Sequence, residues 1–179
     1  MNFVDAAKAS LSGHIKVFTA PAGVDPLTTD QLETLIDHKN LVVASAEEVM
    51  IGLLSRDFTN YAPYYVCIGD GGDIDPETGF DAGERVPPAT TDVAIRSLIL
   101  RIPIIQTDVT DNTVTYTAIA RPHQGLTASL NELTLETMNN TLISHYVEQS
   151  APAEVRAKKH VKSSLEYLVI RWSLTFTLN

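Results

Sequence analysis

Residues 165–179 alternate more cleanly than any other stretch of this chain, and they restrict what it can fold into. Leu168, Ile170, Trp172, Leu174, Phe176 and Leu178 fall on one side, and Val169, Arg171, Ser173, Thr175 and Thr177 on the other. Side chains alternate across a strand with period two, whereas a helix would scatter this set around its circumference. A strand with such an apolar face needs an opposing apolar layer. The segment therefore reads as a long core strand that completes the fold at the C-terminus.

The chain has 179 residues, of which 44% are hydrophobic and 20% charged. That suits one domain able to bury a core without disulfides or structural metals. No run approaches the ~18 apolar residues of a membrane-spanning helix, so no membrane partner is expected. The net charge of -9, from 13 basic and 22 acidic residues, opposes nucleic acid as a partner. The basic cluster Arg156, Lys158, Lys159, His160 and Lys162 reads as a solvated turn before the last strand. Cys67, the single cysteine, cannot form an internal disulfide, and its aromatic and branched neighbours suggest a core position rather than a nucleophile. The N-terminus shows no apolar signal-peptide region.

Residues 1–39 read as an N-terminal extension or arm, with alternation from His14 to Thr19 and a short helix from Thr28 to Asp37. Residues 40–179 read as a β-rich domain. Val42 to Leu54 has helical spacing, with Leu41 to Val43 open to a short strand reading. Tyr64 to Ile68 reads as a strand, and Val93 to Ile99 as a short helical or irregular segment. Ile102 to Thr107 and Val114 to Ala120 suggest a hairpin, and Thr141 to Val147 a further strand. Helices early and short strands later predict an α+β fold: an antiparallel β-sandwich-like domain with one or two N-terminal helices packed on it.

Three patterns raise chemistry. Asp73, Asp75, Glu77, Asp81 and Glu84 space their oxygens like a calcium loop, but the glycine falls one position late and Pro76 interrupts the run. Calcium is the one cofactor this pattern raises, with an exposed acidic loop as the simpler reading. A calcium-dependent carbohydrate- or protein-binding module using Tyr61, Tyr64 and Tyr65 is the alternative function. Gly69, Gly71 and Gly72 lack the lysine and spacing of a phosphate loop and suit a tight turn at a strand end. His14, His38, His123, His145 and His160 stand without a nucleophile elbow or metal-binding helix, so no catalytic residue is assigned and no enzyme is expected.

Several segments together carry a resemblance: Asn40–Val43, Gly52–Arg56, Ile68–Gly72, Pro87–Asp92, Arg101–Ile104 and Leu168–Phe176. In this order they resemble the attachment domain of tailed-bacteriophage tail-fibre, baseplate and collar proteins, over roughly residues 40–178. The family's Asn-Glu-hydrophobic-Gly segment has a partial counterpart in Asn131–Glu136, which lacks the glycine. The resemblance implies a structural virion protein, made in the host cytoplasm and built into the tail, baseplate or collar. It implies other virion proteins as partners, a homo-oligomer in a symmetric assembly, and no catalytic residues. With no shaft after Leu178, it implies a connector or adaptor subunit that anchors fibres or neighbouring subunits.

Overall fold

The computed structural model describes residues 9–69, 88–125, 130–148 and 162–178. Eight strands appear in it: β1 (Ala9–Pro21), β2 (Glu33–Val42), β3 (Pro63–Gly69), β4 (Leu98–Thr110), β5 (Thr113–Ala120), β6 (Glu132–Thr137), β7 (Leu142–Val147) and β8 (Glu166–Leu178). Two short helices, α1 (Ser45–Leu54) and α2 (Phe58–Tyr61), lie between β2 and β3. All pairings are antiparallel, and the strands close into a barrel in the order β1-β2-β7-β6-β3-β4-β5-β8.

This corrects the expected α+β β-sandwich with N-terminal helices. Sandwich and barrel strands share the same in-out alternation, and only the pairing of the outermost strands separates them. Two strands turn the corners here. The first half of β4 pairs with β3 up to Pro103, and its second half pairs with β5 from Ile104. Pro103 has no N–H to give to a ladder, and the register shifts between Ile104 and Gln106, so the strand changes partner where its own pairing is weakest. β2 runs along β1 and then crosses to β7 through Leu41 and Val42.

Residues 9–21 and 33–39, read from the sequence as part of an N-terminal extension or arm, pair as staves of the barrel. All thirteen residues of β1 pair with β8, from Ala9 opposite Leu178 to Pro21 opposite Glu166. The helix expected from Thr28 to Asp37 gives way to a turn and β2. Asp25 builds that turn, accepting from the Leu27 amide and the Thr28 hydroxyl at 3.0 Å each. Thr29 adds a local hydroxyl turn to Gln31 at 3.1 Å, and these side-chain bonds compete with helix formation. Pairing with β1 then fixes residues 33–40 as strand.

The interior is a packed core. Ile15 and Val17, Val66 and Ile68, Leu133 and Leu135, and Leu168, Ile170 and Trp172 all meet there fully buried. Eight strands enclose a space about as wide as the side chains that fill it. Each fully buried large aliphatic contributes on the order of 2 kcal/mol. Trp172 is the largest side chain in this core, and its indole N–H has no hydrogen-bond partner among the described residues. From α1, Ala46 and Val49 join this core, and the Ser45 hydroxyl donates to the Leu142 carbonyl of β7.

Candidate functional site

The barrel wall made of β7, β6, β3 and the first half of β4 carries its chemistry on the outer face. Leu133 and Leu135 point inward, so Glu132, Thr134 and Glu136 point outward on β6. The register continues that face sideways: Thr134 lies opposite His145 on β7 and Cys67 on β3, and Cys67 lies opposite Arg101 on β4. An outward polar face is ordinarily wet. Here Glu132, Thr134, Glu136, His145 and Cys67 are all buried.

The segment 88–97 crosses this wall and is tied to it by side chains. His145 Nε2 lies 2.7 Å from Glu132 Oε1, and His145 Nδ1 lies 2.8 Å from Asp92 Oδ2. Two ionised carboxylates only accept, so the three groups are satisfied together when both ring nitrogens carry protons or when one carboxyl does. The Arg96 amide donates to both Glu132 oxygens, at 3.0 and 3.2 Å, while the Arg96 guanidinium stands 3.5 Å from Asp92. Asp92 also accepts from the Ala89 amide at 2.9 Å, and the Ala44 amide before α1 donates to the Thr90 carbonyl. Burial alone would raise the Asp92 carboxyl, but the Ala89 amide, His145 and Arg96 outweigh it and hold it below its ordinary range.

Gly69 makes room for this arrangement. A Cβ there would lie 2.7 Å from both Glu132 Oε2 and the Ser97 carbonyl. Its bareness serves the close approach of a carboxylate and a crossing backbone, whereas the sequence suggested a turn-forming role. At the other end of the wall, Glu136 takes 2.8 Å and 3.3 Å bonds from the Thr134 hydroxyl and the Arg101 guanidinium. Arg101 also lies over the Tyr65 ring, 5.4 Å from its centroid. Burial pushes the Cys67 thiol up to about 12; it is buried, on this covered outer face rather than in the barrel interior.

The opposite wall, built from β1, β8, β5 and the second half of β4, is open. Lys16 lies opposite Arg171, which lies opposite Thr117. The adjacent outward row runs through Ser173, Thr115 and Asp108. Hydroxyls pair across the strands, Thr115 with Ser173 at 2.9 Å and Thr113 with Thr175 at 2.8 Å. A pocket of about 360 Å³ lies on this face, with Leu27 as the one apolar residue in its lining.

Asp73, Asp75, Glu77, Asp81 and Glu84 lie outside the described residues, as do His160 and most of the basic cluster. Lys162 of that cluster is buried rather than solvated: its ammonium donates to the carbonyls of Pro122, Ser163 and Glu166 at 3.0–3.1 Å. Burial pushes its pKa down. Among the described residues no group of three or more His, Cys, Asp or Glu is placed to hold a metal ion. His14 pairs with Asp37 at 2.7 Å on the surface, and His38 packs against Tyr146 with ring centroids 5.7 Å apart.

The Asp92–His145–Glu132 cluster was not legible in the sequence, where His145 was one of five histidines without a nearby partner. The alternation of Glu132, Thr134 and Glu136 with leucines signals a strand but not that its polar side is covered. With both His145 nitrogens engaged by carboxylates, the cluster works as a clamp on the crossing segment. Comparison with protein-family models, with curated proteins and with solved structures found no match.

Proposed function

We propose that this chain is a structural connector of a tailed-phage particle, anchoring fibres or neighbouring subunits at the tail, baseplate or collar. The observation that carries this reading is that four of the stretches that suggested it, those of Gly69, Asp92, Arg101 and Glu132, meet on one wall. Their side chains serve to hold the crossing segment on that wall, which is work for a scaffold. In the same reading its partners are other virion proteins and further copies of itself, and it carries out no catalysis.

A contact surface for such partners lies on the α1–α2 hairpin. Ile51 and Leu54 on α1 and Phe58 on α2 are 60%, 81% and 60% exposed, three large apolar side chains within eight residues. Exposed apolar clusters of this kind mark interaction sites. The test is to purify particles and probe them for the chain by mass spectrometry. The expected result is wild-type chain in the particles and a Leu54→Glu/Phe58→Glu double variant that folds but stays in the soluble pool. Wild-type chain absent from particles and present only in the soluble pool would overturn the reading.

A further inference from the structure

We infer that the open wall carries a binding site for an acidic saccharide, with a carboxylate held between Lys16 and Arg171 and sugar hydroxyls held by the neighbouring Thr, Ser and Gln side chains. Lys16 and Arg171 are directly opposite on β1 and β8. Like charges in that position repel, and a shared anion removes the repulsion. Lys16 is balanced in part by Asp37, 2.9 Å away. Arg171 has no carboxylate within ion-pair distance among the described residues. Its guanidinium lies 5.2 Å from the centroid of the Phe18 ring, a contact that orients it while leaving N–H donors for an oxyanion.

The rest of the pocket selects against a bare anion. Moving away from Arg171, the lining becomes Thr117 and Gln106, then the Thr115–Ser173 hydroxyl pair and Asp108. The Gln106 amide holds both Asp108 oxygens, at 3.1 and 3.0 Å, which fixes a carboxylate where it can accept from ligand hydroxyls. A simple anion would meet Asp108 as a like charge. A ligand with a carboxylate at one end and hydroxyls at the other meets complementary groups along the whole pocket. At about 360 Å³ the space suits one sugar ring. This site shares no residue with the acidic loop 73–84, and it does not depend on the connector reading.

The experiment is a two-dimensional amide NMR titration of the full chain with glucuronate, glucose and inorganic sulfate. Glucuronate is expected to give saturable shifts at Lys16, Thr115, Arg171 and Ser173, with glucose and sulfate each binding at least about tenfold more weakly. Arg171→Gln should weaken glucuronate about tenfold while keeping the wild-type melting temperature, and Lys16→Gln provides a second, independent variant. Arg171→Lys, which keeps the charge but loses the planar fork, should fall between. No saturable shift on this wall, sulfate binding as tightly as glucuronate, or unchanged affinity in both Gln variants would overturn the proposal.

Discussion

The two outer walls of this barrel are polar in the same alternating way and differ in whether anything covers them. On the open wall, Thr115, Ser173, Lys16 and Arg171 face outward, and their rows of hydroxyls and charges line a pocket. On the covered wall, Glu132, Thr134, Glu136 and His145 occupy equivalent outward positions but lie buried, Glu132 and His145 held by the segment that carries Asp92 and Arg96. Water pays little attention to a surface hydroxyl that loses its neighbour. A carboxylate clamped in a dry layer has no such substitute, so identical-looking alternation gives a tolerant face on one side and an intolerant one on the other.

The largest expected contrast is between removing a charge from the covered wall and a hydroxyl from the open one. Glu132→Ala removes the buried carboxylate that meets His145 Nε2 and the Arg96 amide and should cost about 3–5 kcal/mol, whereas Thr115→Ala should stay within about 0.5 kcal/mol. Urea denaturation of both variants checks this, and equal losses would erase the distinction between the walls. Next, Gly69→Ala should cost about 1–3 kcal/mol, because the added methyl meets a carboxylate and a backbone carbonyl that are both held in place. A second-site Glu132→Gln change should relieve little of that cost, since the Ser97 carbonyl remains in the way.

The smallest effect is on pH dependence. Asp92 is held below its ordinary 3.8 in the folded chain, so the unfolded chain binds more protons in the acid range. The stability Asp92 contributes is therefore present above about pH 4 and is lost as pH falls through its depressed folded value. Asp92→Asn should lower stability at neutral pH and flatten that part of the acid limb, as read by thermal melting across pH. An acid limb of unchanged slope would mean that Asp92 is not part of the clamp.

Most strands were legible from the sequence, and the reasons are local. Tyr64 to Ile68, Val114 to Ala120 and the closing strand alternate or concentrate branched residues, and they appear as β3, β5 and β8. α1 carried helical spacing with Glu47 and Glu48 in its first turn. β2 was hidden because its pattern is broken: Leu35 and Ile36 are adjacent apolar residues, and β1 shifts register opposite them between Val17 and Phe18. Its strand state depends on pairing with a segment some twenty residues away, which propensity does not record. The clamp was hidden for a related reason. Asp92, Glu132 and His145 are separated by up to 53 residues and meet only when β6 and β7 pair and the 88–97 segment crosses them.

The sequence by itself determined several of the strands and that Leu168, Ile170, Trp172 and Leu174 of the last one face the core. Period-two patterning and composition are properties of neighbouring residues and need no partner to be read. Only the tertiary structure decided that the strands close into a barrel, that residues 9–42 belong to it, and that one polar face is sealed while the other stays open. Closure depends on β4 and β2 each changing partners, and burial depends on what crosses a face. Both are set by contacts between residues far apart in the chain, where pairing and desolvation energies outweigh local preference.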